Sequence, residues 1–149
     1  MGSQSDYSVM KDCEKILRIL KIKYQVSIVS AHRTPKRMFQ FAESAAKNGF
    51  AVIIAGAGGS AHLPGMVASL ATVPVIGVPI ESKKLKGLDS LLSIIQMPKG
   101  CPTATMAING AFNAGLHAAS IIGTFDLKVR SNLEKWKRLQ TKSVKKKPK

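Results

Sequence analysis

The chain has 149 residues, 45% of them hydrophobic, which suits one domain with a buried core and leaves too little for two. Its formal net charge of +15 raises the question of nucleic-acid binding, but residues 127–149 hold ten Lys or Arg against one Glu, and Trp136 is the only aromatic there to stack on a base. Specific nucleic-acid binding is therefore not expected, and the two distant cysteines, Cys13 and Cys101, argue against a disulfide framework or a zinc site and fit a reducing cytoplasm.

Met1-Gly2-Ser3-Gln4-Ser5-Asp6 reads as a loop whose preceding strand is missing. Its hydroxyls, backbone donors and one carboxylate stand just before a helix, an arrangement that serves equally as a helix cap or as a seat for a phosphate or sugar. Met10, Cys13, Ile16, Leu17 and Leu20 then recur at helical spacing and predict a helix over 8–21 with one face on a sheet. Residues 24–30 predict a strand through the β-branched Val26, Ile28 and Val29. That strand runs into Ser30-Ala31-His32-Arg33-Thr34-Pro35, where Thr34 caps and Pro35 opens a helix that Asn48-Gly49 closes. Arg33 can fork onto a phosphate, and His32 is the residue type suited to moving a proton near neutral pH.

Residues 51–65, Ala-Val-Ile-Ile-Ala-Gly-Ala-Gly-Gly-Ser-Ala-His-Leu-Pro-Gly, are the organising stretch. Residues 51–55 predict a buried strand, the glycines a nest of backbone N–H groups, and Pro64 the first turn of a helix. Ligands of open α/β sheets bind at the carboxyl ends of strands, so this turn and the one at Ser30 are the places for chemistry. Residues 48–80 lack Asp, Glu, Lys and Arg, but six glycines, three prolines and His62 interrupt them, which favours two buried strands around a helix over a membrane span.

Residues 73–80 predict a further strand, residues 81–87 a charged loop, and Leu88, Leu91, Leu92 and Ile95 a short helix. Gln96-Met97-Pro98-Lys99-Gly100-Cys101-Pro102 is too broken for regular structure, and residues 103–108 offer a fifth strand. Small residues Ala111, Ala114, Gly115, Ala118 and Ala119 mark a helix over 109–123 that permits close approach, with His117 read as structural. An amphipathic helix over 127–139 carries Val129, Leu133, Trp136 and Leu139, and residues 141–149 read as a disordered basic tail. The alternation predicts a single three-layer α/β/α domain over 1–140 with a parallel, flavodoxin-like sheet and a truncated first strand.

No Ser-His-Asp or Cys-His set and no carboxylate cluster for a metal stands out. What remains is proton transfer by His32 or His62 in a pocket for a phosphorylated, sugar-bearing small molecule. A rival reading is a dinucleotide- or nucleotide-binding Rossmann-like domain, because Gly56-x-Gly58-x-x-Ala61 matches the relaxed fingerprint and Glu81 follows the next apolar run.

Gly2-Ser3-Gln4-Ser5-Asp6, Ser30-Ala31-His32-Arg33-Thr34-Pro35, residues 55–66 and Gln96-Met97-Pro98-Lys99-Gly100 together resemble the class I N5-carboxyaminoimidazole ribonucleotide mutase family, PurE, of de novo purine synthesis. The resemblance reaches to about Gln140, and Arg33 after His32 favours the class I mutase over the class II carboxylase. It implies a cofactor-free, metal-free migration of a carboxylate from an exocyclic nitrogen to an imidazole carbon, in a homo-octamer with sites between subunits. It also implies roles: His32 as the acid–base group, Ser3, Ser5, Ser30 and Arg33 around the phosphate and reacting end, and Asp6 on the ribose. Ala31 would join the substrate contacts, and Ala57, Gly58, Gly59, His62 and Leu63 would hold the imidazole and the migrating carboxylate. The family's first strand is expected ahead of Gly2, so about five to eight further residues are expected upstream of Met1. The basic tail matches no family role.

Overall fold

A parallel sheet in the order β1-β2-β3 forms the middle layer of a computed structural model, which describes residues 1–147. β1 spans Ile53–Gly58, β2 Val75–Ile80 and β3 Ala104–Thr105. β2 is buried along its whole length because helices cover both faces, which is why it reads as an unbroken apolar run. Ile76, Val78 and Ile80 point to one face, against Met10, Cys13 and Leu17 of α1 (Tyr7–Ile19) and Ala111, Ala114 and Ala118 of α5 (Ala111–Ile122). Val75 points to the other, with Ile53, Ala55 and Ala57 of β1, against α2 (Pro35–Ser44) and α3 (Leu63–Leu70). α4 (Leu88–Ile95) joins that second face through the fully buried Ile94. α6 (Leu127–Ser143) packs outside α1 and α5 through Val129 and Leu133. The result is the expected α/β/α, flavodoxin-like architecture.

Two close approaches hold the layers together. A Cβ on Gly115 would meet Ile16 at 2.4 Å, so the small-residue stripe of α5 brings that helix against α1 as its spacing predicts. A Cβ on Gly77 would meet Ile94 at 2.5 Å, which fixes α4 against β2.

Several boundaries differ from the sequence reading. Residues 22–30 run without a turn or bend but form no strand, because the only ladder partner they find is Met1. The Met1 ammonium donates to Ser27 O (3.1 Å), Val29 N donates to Met1 O (2.8 Å), and Gly2 N donates to Gly56 O (3.2 Å). Met1 and Gly2 together thus form a single rung between residues 22–30 and the end of β1. β1 begins at Ile53 and runs through Gly58, so Gly56 and Gly58 are strand residues and only Gly59, at φ +64, turns the chain. The fifth strand shrinks to Ala104–Thr105, because a turn closes behind it where Gly110 N donates to Ala107 O.

α1 starts at Tyr7 behind a 3₁₀ turn, Gln4–Asp6. Thr34 stands at the N-cap of α2, but its hydroxyl donates to Ser30 O and accepts from Ser30 N instead of capping. α6 is held at its start by Asp126 Oδ1, which accepts from Lys128 N and Val129 N, and it continues to Ser143. The basic tail expected from residue 141 therefore loses three residues to the helix, and its last two, Pro148 and Lys149, lie outside the described residues.

Candidate active site

The carboxyl ends of β1 and β2 and the end of the segment at Ser30 open into one cleft of about 780 Å³. All twelve residues singled out in the sequence line it: Ser3, Ser5, Asp6, Ser30, Ala31, His32, Arg33, Ala57, Gly58, Gly59, His62 and Leu63. They come from three loops that are far apart in sequence, and each loop is braced by its own short hydrogen bonds.

In the first loop, Asp6 is buried and its Oδ2 accepts from Ser3 N at 2.9 Å, which closes one arm of a capping box. Ser3 Oγ and Ser5 Oγ are hydrogen-bonded at 2.5 Å, with either as donor, so both hydroxyls stand together at the mouth of α1. In the second loop, Ser30 Oγ accepts from Arg33 N at 3.2 Å, and the Arg33 guanidinium donates through Nη2 to Gly2 O at 3.3 Å. Arg33 therefore ties the second loop to the first. In the third, a Cβ on Gly58 would stand 3.3 Å from Ile80 O, so the backbone there passes closer to β2 than a side chain allows comfortably.

The second and third loops meet through their histidines. His32 Nε2 lies 2.8 Å from His62 Nδ1, with the rings edge to face at 84° and their centroids 5.0 Å apart. One nitrogen of that pair donates and the other accepts, so the tautomer of His62 decides whether His32 Nε2 carries the shared proton. His117 lies exposed on α5 and does not line the cleft.

The far wall was not anticipated. Ser82, Lys83, Lys86 and Asn109 also line the cleft, as does Ser60. Glu81 N donates to Asn109 Oδ1 at 2.9 Å and Asn109 Nδ2 donates to Glu81 Oε2 at 3.1 Å, which pins the loop after β2 to the loop before α5. Ser90 Oγ, fully buried, bridges Ile80 O and Gly87 O and anchors the other end of the same loop. The signal was available: residues 81–86 follow the carboxyl end of a predicted strand, the same criterion that selected the other two loops.

The arrangement does not favour the dinucleotide reading. That fingerprint needs its first glycines in the turn between strand and helix, whereas Gly56 and Gly58 pair with Val78 and Ile80 in the ladder. The side of Gly56 is taken by Met10, whose Sδ would stand 2.4 Å from a Cβ there, and Glu81 is engaged with Asn109.

The AIR carboxylase family model matches residues 1–143. The chain is 53% identical over 146 residues to the N5-carboxyaminoimidazole ribonucleotide mutase of Escherichia coli (strain K12), an alignment covering 97% of this chain and 86% of that protein. It is 58% identical over 133 residues to the mutase of the same name from Mycobacterium leprae, covering 89% and 78% of the two chains. The crystal structure of Treponema denticola PurE superposes with a TM-score of 0.86 at 26% identity, covering 95% of this chain and 89% of that one. With a family match over nearly its whole length and relatives more than half identical, this chain belongs to the AIR carboxylase family.

Proposed function

We propose that the cleft converts N5-carboxyaminoimidazole ribonucleotide to 4-carboxy-5-aminoimidazole ribonucleotide, the mutase step of de novo purine synthesis. The observation that carries this reading is the meeting of His32 and His62 across two loops, beside Arg33 and the glycine-lined end of β1. A cofactor-free carboxylate migration needs a proton carrier in a preorganised pocket, and these residues supply one.

The chemistry balances with one such carrier. The exocyclic N–C bond breaks, its electron pair returns to nitrogen, and nitrogen takes a proton. Carbon dioxide held in the pocket is then attacked by the ring carbon, a C–C bond forms, and that carbon gives up its proton. A group that first donates and then accepts ends as it began, and His32 is assigned that role. His62 holds the His32 ring and selects its tautomer, the second function of a histidine partner. Ser3, Ser5, Ser30 and Arg33 take the phosphate end, where the guanidinium offers a fork of donors. Asp6 accepts from the ribose, while Ala31, Ala57, Gly58, Gly59 and Leu63 wall the imidazole and the migrating carboxylate. Lys83 and Lys86 add positive charge opposite Arg33 for an anionic substrate.

The assembly is assigned as a homo-octamer. α4 supports it by presenting Leu88, Leu92 and Ile95, all about half exposed, as one stripe at helical spacing. The free thiols of Cys13 and Cys101 suit a reducing cytoplasm, and no helix among the described residues is long and apolar enough to cross a membrane.

The test is an assay for interconversion of the two carboxylated ribonucleotides with purified protein and no ATP. Conversion without loss of label to dissolved bicarbonate supports the reading. Absence of conversion together with tight NADH binding would replace it with the dinucleotide alternative.

A further inference from the structure

The side chains lining the cleft are nearly balanced in charge, and the loop after β2 decides the sign. Arg33 is positive while Asp6 and Glu81 are negative, so with neutral imidazoles these three leave the cleft at −1. Lys83 and Lys86 turn that to +1. Neither lysine is engaged in an ion pair, because among the described residues the salt bridges are Lys15–Asp12 and Arg18–Glu14. Lys84, on the same loop, does not line the cleft.

Residues 81–87 are held so that this charge keeps its direction. Ser90 Oγ reaches Ile80 O at 2.8 Å and Gly87 O at 2.9 Å, which closes the base of the loop. A Cβ on Gly87, at φ +88, would stand 2.6 Å from Ile108 and 3.2 Å from Glu81 Cα, so the two ends touch where only glycine fits. Inside the loop, Ser82 Oγ donates to Asp89 Oδ1 at 2.9 Å and accepts from Leu85 N at 3.3 Å. The outer tie is Asn109, which accepts from Glu81 N and donates to Glu81 Oε2. Its φ of +58 lies in the left-handed region, which Asn tolerates better than most residues, and the side chain it brings there is what holds Glu81.

We infer that Lys83 and Lys86 make residues 81–87 a cationic arm that selects multiply charged ribonucleotides over the corresponding nucleosides, and that Asn109 is the positioning residue that aims it. The inference rests on the mutase reading, whose substrate carries both a phosphate and a carboxylate. A cleft at −1 repels such an anion before any hydrogen bond forms, and a cleft at +1 attracts it. Low-dielectric walls focus that field, so two lysines on the rim act on the approach of substrate as well as on its affinity. The Glu81–Asn109 pair sets where they stand, because it fixes the loop two residues before Lys83.

The experiment follows kcat/KM for the mutase reaction, and calorimetric affinity for the 4-carboxylated ribonucleotide, from low to high salt with the full chain. Lys83→Gln with Lys86→Gln is expected to lower kcat/KM about tenfold at low salt, mostly through KM, with an unchanged melting temperature. The two curves should converge as the Debye length shrinks from about 30 Å at 0.01 M to about 3 Å at 1 M. Lys84→Gln removes the same charge away from the cleft and should cost clearly less. The nucleoside lacking the phosphate should bind wild type and the double variant more nearly alike. Asn109→Gly keeps the backbone conformation but loses both bonds to Glu81, so KM should rise and the salt slope should flatten. Asn109→Asp combined with Glu81→Gln exchanges donor and acceptor at constant net charge and should return the slope toward wild type. Parallel curves at every salt concentration, or an equal loss in Lys84→Gln, overturn the arm, and an Asn109→Gly slope equal to wild type overturns its positioning by Asn109. Wild-type protein that neither binds nor converts the ribonucleotide at any salt would sink the mutase reading and this inference together, whereas turnover with an unaltered slope in the double lysine variant sinks this inference alone.

Discussion

β1 has a full neighbour on one edge and a single rung on the other. Toward β2, six residue pairs from Ile53↔Val75 to Gly58↔Ile80 close the ladder. On the other edge, among the described residues, Gly2 N to Gly56 O is the one backbone bond to β1, and Met1 carries the link on to Ser27 and Val29. The cleft nonetheless draws on both edges and holds all its expected residues. The difference teaches that the site is assembled at the carboxyl ends of the strands, by loops that brace themselves and by the bonds that Met1 and Gly2 make to Ser27, Val29 and Gly56.

The comparison can be pressed by substitution, starting with the site. His32→Asn keeps a hydrogen-bonding side chain at that position but cannot carry a proton, so turnover is expected to fall by about 10²–10⁴-fold while substrate binding and melting temperature stay near wild type. Steady-state kinetics with a binding isotherm check it, and loss of stability in parallel would mean that the site and the scaffold are not separable.

The two edges of the sheet should then respond differently to one added methyl group. Gly77→Ala, on the closed side, drives a Cβ to within 2.5 Å of Ile94 in a filled layer and should cost about 1–3 kcal/mol. Gly56→Ala presses on the far end of the flexible Met10 side chain, which gives more readily than the branched Ile94, so a smaller loss is expected. Denaturant midpoints of the two variants measure this directly, and equal losses would indicate that Met10 has no more freedom to move than Ile94.

Arg33→Lys tests the tie between the first two loops. It removes the fork that reaches Gly2 O and is assigned to the phosphate, so KM should rise several-fold, more than kcat falls. An unchanged KM would remove Arg33 from the phosphate end.

The smallest effect concerns the Met1 ammonium. Burial holds its pKa below the ordinary 8.0, outweighing the opposing pull of Asp6. The unfolded chain therefore binds more protons between the lowered value and 8.0, and stability should rise as pH climbs through that window and then level off. Below the lowered value both states are protonated and the full penalty remains. Thermal unfolding against pH checks it, and N-terminal acetylation should flatten the slope.

Much of this was legible in the sequence, for local reasons. Residues 73–80 read as a buried strand, Pro64 as a helix start and the turns at Ser30 and Gly59 as ligand edges, because strand burial, proline geometry and strand-end chemistry are written within a few residues. Residues 24–30 carry the β-branched composition of a strand and still form none, since pairing is non-local and the partner ladder is one residue long. The contact between His32 and His62 was equally hidden, because it depends on how two loops converge across thirty positions. Lys83, Lys86 and Asn109 were missed for a different cause: the loop after β2 looked merely charged, and its reciprocal bonds with Asn109 bring it over the cleft only in three dimensions.

The central claim is that His32 moves the ring proton, and the most direct measurement runs the reaction in reverse in heavy water. The 4-carboxylated product is incubated with the protein in D₂O and the decarboxylated ring carbon is followed by NMR. Wild-type protein is predicted to deliver deuterium to that carbon, His32→Asn to bind the same compound and deliver none, and Arg33→Lys to deliver it at raised substrate concentration. Undiminished deuterium incorporation by His32→Asn would contradict the account and move the proton carrier elsewhere in the cleft, with His62 the first place to look.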